Sequence, residues 1–319
     1  MRMKFLRPIA IFVSFVSCVS YATAQETLKI AVGQIEVWSA VAPVLGDKAG
    51  IFKKHGIDVE IFNAQGAGET LQTVISGSAD IAINVGVSGV LRAFQKGAPV
   101  RVLGANYTGG GDIYWYVRAD SPIKTLKDAS EKNTIAYSTN GSSTHNIVLG
   151  FVSDLGVKAK PTSTGGPTPT MTMVMSSQID IGWGSPPLGV KEIEAGQIRV
   201  LASGNDLPSV RNQTVRVDIV NANVLRDRGD AVLRFVRAYR ETLDWMYSDP
   251  QAIKMYAEHI RVPEAQAKLA VQNFSPREAR QFDRIMDIEG VMRDAVKLKF
   301  LDKPLAADQL SELIQIPAR

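Results

Sequence analysis

The chain has 319 residues, of which 45% are hydrophobic and 21% are charged. This mixture is typical of a globular protein and excludes a disordered chain and a collagen-like repeat, while the single cysteine excludes a disulfide scaffold. The formal net charge of +4 favours a nucleic-acid partner when taken alone, but the position of the basic residues along the chain argues against one.

The first 24 residues predict a secretory signal peptide. Three basic residues precede an apolar run at 9–16, and Ala-Thr-Ala at 22–24 has the form of a cleavage site, so cleavage is expected after Ala24. The apolar run is too short to span a bilayer, and a retained N-terminal anchor is the less favoured alternative. A lipid anchor at Cys18 is also less favoured, because Phe15 is an unusual first residue for a lipoprotein box.

Removal of this segment changes the charge of the chain. Cleavage after Ala24 takes away three basic residues and no acidic ones, which leaves 33 basic against 32 acidic residues and a net charge of +1. The exported protein is therefore expected to have no nucleic-acid partner. Any preference for an anion should come from helix N-termini and hydroxyl groups in the cleft, not from bulk charge.

The chain after residue 27 alternates strand and helix patterns, which predicts a parallel sheet covered by helices. The predicted strands are 28–32, 57–62, 79–85 and 100–103, and the helices between them are 39–49, 70–76 and 88–95. The pattern restarts with strands at 134–137, 179–183 and 198–201 and with helices at 142–155, 168–177 and 186–195. The two passages align without a gap at an offset of one hundred residues, with identities such as Thr70 with Thr170 and Asp80 with Asp180. This repeat predicts two similar α/β lobes.

The C-terminal third changes to amphipathic helical patterns, at 229–248, 250–259, 264–272, 282–299 and 306–314. Because no low-complexity linker separates these helices from the lobes, they are expected to pack back on one of them. The predicted domains are a signal peptide at 1–24, a discontinuous first lobe at 25–107 and 208–319, and a second lobe at 108–207. The chain should cross between the lobes near 106–112 and 203–211.

Ligands of parallel α/β sheets bind where strands lead into helix N-termini. The loops at these positions and the aromatic residues near them give the candidate ligand-binding residues Gln34, Glu36, Trp38, Gln65, Gly68, Asn84, Ser88, Tyr107, Asn140, Ser142, Ser143, Thr144, His145 and Trp183. The run at 140–145 is the most informative, because a glycine and three hydroxyl residues at a helix start can bind an oxyanion. An ordinary helix cap is the alternative there, and ordinary packing is the alternative for each aromatic residue.

The sequence offers little support for an enzyme. The three histidines are far apart, no metal-ligand cluster or nucleophile motif occurs, and the glycines at 66 and 68 lack the third glycine of a dinucleotide fingerprint. No catalytic residue, metal or cofactor is therefore predicted. The arginines between 226 and 240 alternate with acidic residues, as on a solvated helix face.

Several motifs in order resemble those of periplasmic substrate-binding proteins of the nitrate, sulfonate and taurine type, the NMT1/THI5-like superfamily. The segment 49–60 (AGIFKKHGIDVE) is similar to the family signature, and Ser76–Ala82 and Gln178–Asp180 are similar to its two turn motifs. The segment 141–146 (GSSTHN) is close to the helix start of alkanesulfonate-binding members, although Thr144 stands where those members have alanine. The resemblance covers roughly residues 27 to 260.

The resemblance implies a type II periplasmic binding protein fold, with two α/β lobes and a ligand cleft that closes at a hinge. It implies a monomeric, periplasmic component of an ABC importer that captures a small solute and delivers it to a membrane permease driven by an ATPase. Contact with a sulfonate is implied for Ser142, Ser143, Thr144 and His145, while the aromatic residues would also suit an aromatic ligand. The alternatives are a pyrimidine-synthase-like enzyme of thiamine precursor synthesis, and a ligand-sensing partner of a membrane receptor.

Overall fold

The computed structural model describes residues 26–64 and 66–319, so the predicted signal peptide, Cys18 and Gln65 lie outside the described residues. The first part of the chain alternates strands and helices as predicted: β1 (Glu26–Gly33), α1 (Ala42–Lys48), α2 (Ile51–Lys54), β2 (Ile57–Ala64), α3 (Ala67–Ile75), β3 (Ile81–Gly86), α4 (Val87–Gln95) and β4 (Val100–Thr108).

The middle of the chain forms β5 (Tyr114–Arg118), β6 (Thr134–Tyr137), α5 (Ser143–Leu155), β7 (Lys160–Ser163), α6 (Pro167–Met175), β8 (Gly182–Gly184), α7 (Val190–Glu194) and β9 (Ile198–Ser203). The last part forms β10 (Thr214–Asn221), α8 (Ala222–Asp227), α9 (Gly229–Ser248), α10 (Pro250–Ile260), α11 (Glu264–Phe274), α12 (Ile288–Lys297) and α13 (Ala307–Leu313). Within the described residues, no helix is both long enough and apolar enough to cross a membrane.

The first lobe is built on a five-stranded sheet with the order β2-β1-β3-β10-β4. Strand β1 is parallel to β2 and β3, whereas β10 is antiparallel to both of its neighbours. The expectation of an all-parallel sheet is therefore wrong at β10, because this strand enters the sheet on the return of the chain from the second lobe. All eight residues of β10 are buried.

The second lobe repeats this arrangement. Strands β8-β5-β9 form one antiparallel sheet and β6-β7 a parallel pair. A single parallel bridge between Ile135 and Ile181 joins the two groups beside β8. The resulting order, β7-β6-β8-β5-β9, is that of the first lobe, so the prediction of two similar lobes is confirmed.

The paired aspartates of the repeat occupy the same structural position in each lobe. Asp80 Oδ2 accepts a hydrogen bond from the Lys29 amide at 2.8 Å, and Asp180 Oδ2 accepts one from the Thr134 amide at 2.8 Å. In the first lobe the carboxylate connects β1 to the turn before β3. In the second lobe it connects β6 to the turn before β8. This shared role accounts for the aspartate in both turn motifs.

Two predicted helices are shorter than expected. The helix predicted at 186–195 begins only at Val190, because Gly189 has a φ of +83° and cannot belong to the helix. The helix predicted at 282–299 begins at Ile288, because Phe282 is buried in the core and Asp287 caps the helix by accepting from the Gly290 amide at 3.1 Å. In contrast, α9 has the predicted bounds and packs along α1 and α2.

Two segments connect the lobes. The chain leaves the first sheet after β4 and returns to it at β10, and the two segments pack side by side. Asn205 Oδ1 accepts from the Gly110 amide at 2.7 Å, and the Gly204 amide donates to the Ile113 carbonyl at 2.9 Å. A side chain at Gly110 or Gly204 would clash with the opposite backbone, so the glycines allow this close approach.

Candidate functional site

A small cavity lies between the lobes, at the ends of strands where the chain turns into helices. It leaves about 20 Å³ for the centres of water-sized molecules and is called the inner cavity below. Six of the predicted residues line it: Gln34, Asn84, Ser142, Ser143, Thr144 and Trp183. Four further residues complete its lining: Ala67, Ile113, Ser138 and Arg216. None of these four is among the candidate ligand-binding residues predicted from the sequence.

The start of α5 forms the wall from the second lobe. Ser142 is the N-cap residue, and its hydroxyl accepts from the His145 amide at 3.1 Å. Thr144 Oγ1 accepts from the Ser138 amide at 2.9 Å and lies 2.9 Å from Ser142 Oγ. The hydroxyls are thus fixed around a helix start, where the amides of the first turn have no intrahelical partner and carry partial positive charge. This wall can hold an anionic group.

Two residues from the first lobe reach the inner cavity in a left-handed backbone conformation. Gln34 has a φ of +68° and Asn84 a φ of +67°. Non-glycine residues in this region carry strain that persists only where the surrounding structure imposes it. For Asn84 the restraint is a buried carboxylate, because its amide donates to Asp218 Oδ1 at 2.9 Å. Both outliers line the cavity, which is where strained residues of functional sites concentrate.

Arg216 brings a positive charge to the inner cavity. Its guanidinium pairs with Asp112 at 2.5 Å, lies 4.5 Å above the ring of Tyr107, and leaves its side chain only 6% exposed. The sequence-based expectation named only helix N-termini and hydroxyl groups as the source of an anion preference, and this buried guanidinium adds to them. Arg216 lies on β10, and its partner lies 104 positions earlier in the segment that crosses between the lobes.

Several polar atoms around the inner cavity are buried without a hydrogen-bond partner among the described residues. They are Arg216 Nε, Trp183 Nε1, Ser138 Oγ and Asn84 Oδ1. The two nitrogens can only donate, and the hydroxyl can donate as well. A buried polar atom without a partner costs about 1–3 kcal/mol, so the arrangement favours a bound group that supplies acceptors to the three donors and a hydrogen to Asn84 Oδ1.

A network of buried polar groups supports this wall from within the first lobe. Asn106 Nδ2 donates to Asp218 Oδ1 at 2.8 Å, and Arg280 Nη1 donates to the Asn106 carbonyl and side-chain oxygens at 2.8 and 2.7 Å. Burial raises the pKa of Asp218 to about 6, although the Arg280 charge and the amide donors oppose the rise. Arg216 and Asp218 were not predicted from the sequence. The feature that could have indicated them is a pair of charged residues that alternate with valines in an otherwise apolar strand.

Two predicted residues lie at the contact between the lobes and not in the inner cavity. The Gly68 amide donates to Thr139 Oγ1 at 2.8 Å, and Ser88 Oγ donates to Asn146 Oδ1 at 3.3 Å. Each bond joins a helix start of the first lobe to the second lobe. These residues therefore hold the lobes together beside the cavity.

Glycines form the closest part of this contact. The Gly89 amide donates to the Gly141 carbonyl at 3.2 Å, and a Cβ on Gly89 would lie 2.8 Å from that oxygen. A side chain at Gly86 would also clash with the backbone at Gly141 and Ser142. The lobes can approach to this distance only because these positions lack side chains.

His145 does not reach the inner cavity. Its ring stacks on Tyr137 with 4.2 Å between centroids, packs edge-on against Phe300, and accepts from the Gly141 amide at 3.1 Å. Burial, with a smaller effect of the Arg92 charge, lowers the pKa of His145 to about 4. The imidazole is therefore neutral at physiological pH and supports the loop; Asn140 is also in this cluster, since it accepts from the Tyr137 hydroxyl at 2.9 Å.

Three predicted residues of the first lobe lie away from the inner cavity. Trp38 is buried in the core, edge-on to Tyr256 with 4.9 Å between centroids. The Tyr256 hydroxyl donates to the carbonyl of Glu36 at 2.9 Å, and the Glu36 side chain does not line the cavity. Tyr107 lies behind Arg216, and its hydroxyl donates to a backbone carbonyl of α11 at 2.6 Å. Within the described part of the chain, no group of three or more His, Cys, Asp or Glu side chains could hold a metal ion.

Comparison with known proteins adds a family and a fold. The sequence matches the family described as NMT1/THI5 like over residues 40–253, more than half of the chain. Curated proteins give no significant match. The structure is similar to that of an alkanesulfonate-binding protein from Xanthomonas axonopodis pv. citri bound to MOPS, with 16% identity and a TM-score of 0.75 over 91% of this chain and 98% of that chain.

Two further structures have the same architecture. The periplasmic aliphatic sulphonate-binding protein of Escherichia coli is 20% identical, with a TM-score of 0.69 over 92% of this chain and 93% of that chain. The periplasmic nitrate-binding protein of Synechocystis is 13% identical, with a TM-score of 0.69 over 91% of this chain and 86% of that chain. At these identities the likeness establishes the fold, and the predicted two-lobed periplasmic binding protein fold is confirmed.

Proposed function

The chain belongs to the NMT1/THI5-like family, and from this premise we propose that it is the solute-binding component of an ABC uptake system. It captures a small organic anion, sulfonate-like or aromatic, between its lobes and performs no chemistry on it. The observation that carries the proposal is the inner cavity itself, where Arg216 and Trp183 present buried donors without partners beside the start of α5.

The geometry supports an anion over a cation or a neutral solute. Arg216 Nε and the Trp183 indole N–H are donors without a partner, and Ser142, Ser143 and Thr144 at the start of α5 line the same space. Asp112 neutralises part of the Arg216 charge. The remaining electrostatic field in the inner cavity is therefore positive and comes from oriented N–H and O–H dipoles together with a buried guanidinium. Such a field suits a compact oxyanion.

Capture requires the lobes to separate and close again. The contacts between the lobes shield the inner cavity from solvent in the described form, so a ligand enters only when those contacts open. The paired segments at 106–112 and 203–211 are the proposed hinge, because they are the two crossings between the lobes and each contains glycine.

The proposed partners follow from the same role. The bound solute is handed to a permease and its ATPase at the inner membrane, and the protein acts in the periplasm as a monomer after cleavage behind Ala24. The basic and apolar segments before that residue support export.

The proposal is tested on the chain that begins at Gln25. Denaturing mass spectrometry of freshly purified protein identifies any ligand carried through purification, and calorimetry against methanesulfonate, taurine, nitrate, benzoate and a pyrimidine measures binding directly. At a hundredfold excess over Kd, a true ligand should stabilise the fold by about 2.7 kcal/mol. The proposal is overturned when no small anion binds or raises the melting temperature.

Uptake in a deletion strain separates transport from sensing. A transport component is required for accumulation of the labelled ligand, and reintroduction of the gene restores it. A deletion that leaves uptake intact but abolishes a response to the ligand would instead assign the protein to a membrane receptor.

A further inference from the structure

A second and larger cavity opens from the cleft beyond Trp183. It leaves about 490 Å³ for the centres of water-sized molecules and is called the outer cavity below. The second lobe contributes β5, the start of α6 and the segment 183–194, and the first lobe contributes the turn between α10 and α11, with Arg261, Val262, Pro263 and Gln266. Because both lobes form its walls, the outer cavity is also completed only when the cleft closes.

The inner and outer cavities are adjacent. Trp183 lines both of them. Ile113 lines the inner cavity, and the next residue, Tyr114, lines the outer one. The two cavities therefore meet at Trp183, which forms a wall of each.

The lining of the outer cavity differs in chemistry from that of the inner one. Its walls are mainly aromatic and apolar and include Tyr114, Tyr116, Met171, Leu188 and Val262. The charges in its lining balance, because it contains two positive side chains, Lys191 and Arg261, and two negative ones, Glu192 and Glu194. A neutral apolar group fits here better than a second anionic group.

Glycines of the neighbouring strand β8 leave the space that the rings of Tyr114 and Tyr116 occupy. A Cβ on Gly182 would lie 2.6 Å from the Tyr116 ring, and one on Gly184 would lie 2.7 Å from the Tyr114 ring. The Tyr114 hydroxyl donates to the Leu188 carbonyl at 2.6 Å. The aromatic wall is therefore pre-formed and does not depend on a ligand to order it.

Two buried polar atoms of this wall have no partner among the described residues. They are the hydroxyl of Tyr116, whose residue is 0% exposed, and Trp183 Nε1. Buried hydroxyl and indole donors normally have a partner. Both side chains are covered by protein in the described form, so they border the junction of the two cavities without presenting a surface there.

We propose that the ligand is an organic anion with a ring-bearing apolar body. Its anionic head lies in the inner cavity at Arg216 and the start of α5, and its body lies in the outer cavity against Tyr114, Tyr116 and the α10–α11 turn. This inference rests on the proposed solute-binding function, and it assigns the selection of the body to residues of both lobes.

The test compares anions that share a head and differ in body. Calorimetry on the chain from Gln25 uses two pairs, methanesulfonate with benzenesulfonate and acetate with benzoate. The ring-bearing member of at least one pair should bind tenfold or more tightly. Gln266→Trp places a large side chain into the outer cavity and should remove that preference while leaving the affinity for the small anion within threefold.

Ala265→Trp is the matched control, because Ala265 is exposed on the same helix and does not line the outer cavity. This variant should retain the preference for the ring. Equal affinities within both pairs, or equal behaviour of the two tryptophan variants, would overturn the two-part ligand while leaving capture of an anion intact. Absence of binding by all four anions would overturn the proposed anion-binding function as well.

Discussion

Helix α3 of the first lobe begins after Gly66, and Thr70 Oγ1 donates to the Gly66 carbonyl at 2.9 Å. Helix α6 of the second lobe begins after Gly166, and Thr170 Oγ1 makes the same bond at 2.8 Å. The scaffold at these equivalent positions is thus retained down to single hydrogen bonds. The residues that face the cleft differ between the two lobes. The lobes therefore share a fold but contribute different chemical groups to the site.

The first lobe supplies buried charge to the cleft. Arg216 and Asp218 both lie on β10, the strand that enters the first sheet after the second crossing, and Arg280 reaches their network from the C-terminal segment. The corresponding strand of the second lobe is β5, which presents Tyr114, Trp115 and Tyr116 instead. One topological position therefore carries ionic groups in one lobe and aromatic groups in the other.

The largest effect is expected when the charge on β10 is removed. Arg216→Gln should weaken an anionic ligand about 100-fold or more, since an ionic hydrogen bond in a buried site is lost. It should also destabilise the fold by about 3–5 kcal/mol, because Asp112 is left buried without its partner. Calorimetry measures the first quantity and urea denaturation the second.

A double variant separates these two consequences. Replacement of both partners, Arg216→Met with Asp112→Leu, leaves no unpaired charge and should recover most of the stability. It should still fail to bind the anion. Recovery of binding in the double variant would contradict the assignment of the anionic head to Arg216.

The second prediction concerns pH and places the titrating group in the first lobe. Because the pKa of Asp218 is about 6 in the fold and near 3.8 when unfolded, the folded state binds the proton more tightly. Its contribution to stability is complete below pH 3.8 and is lost as pH rises through about 6. The free energy of unfolding of the wild type minus that of Asp218→Asn should therefore fall by on the order of 3 kcal/mol between pH 4 and pH 7.5.

The second lobe offers a titration of the opposite sign. The pKa of His145 is lowered to about 4 in the fold and is near 6.5 when unfolded, so the unfolded state binds the proton more tightly. The free energy of unfolding of the wild type minus that of His145→Gln should therefore rise by on the order of 1 kcal/mol between pH 5.5 and pH 7.5. A difference that falls with rising pH for His145→Gln, or rises for Asp218→Asn, would contradict this assignment of the two titrating groups.

The third prediction removes the hydroxyls of the second lobe. Ser142→Ala with Ser143→Ala should weaken the anionic ligand by about 1–3 kcal/mol, measured by calorimetry. Stability should fall by about 1 kcal/mol, because Ser142 caps α5. Asp249→Ala removes the cap of α10, far from the cleft, and should match the loss of stability without a change in affinity. Unchanged affinity in the serine variant would remove the oxyanion role from this helix start.

The sequence revealed local features of this site more reliably than long-range ones. Glycine and hydroxyl residues at 141–144 predict the start of α5 to within a few residues. The bounds of α9 follow from its amphipathic period between Gly229 and Pro250. In contrast, Arg216 interrupts the apolar pattern by which a buried strand is recognised. Its pairing with Asp112 depends on the packing of the crossing segments, which no local pattern encodes.

Aromatic residues show the same limit. Trp38 follows a predicted strand and Trp183 ends one, yet Trp38 packs into the core of the first lobe and Trp183 lines the cleft. Spacing places both side chains near a loop but does not say which way each one points. The Tyr114–Arg118 strand was likewise missed, because its aromatic residues gave no clear alternation, and its pairing with β8 and β9 brings together segments about 70 to 90 residues apart.

The smallest predicted effect tests closure of one lobe on the other. Gly89 lies within α4, where alanine is the better helix former by about 0.5–1 kcal/mol, but its Cβ would lie 2.8 Å from the Gly141 carbonyl of the second lobe. Gly89→Ala should therefore keep or raise the stability of the ligand-free protein, in which the lobes can separate. Ligand affinity should fall about tenfold, and the radius of gyration from X-ray scattering should decrease less on ligand addition.

Gly229→Ala provides the control for helix propensity, because Gly229 begins α9 and no atom lies within 4 Å of its Cβ position. This variant should leave both affinity and compaction unchanged. A Gly89→Ala protein that binds and compacts like the wild type would mean that the lobes capture the ligand without reaching the described contact. The glycines at 86, 89 and 141 would then have no role in closure, and selection of the ligand would depend on the open cleft.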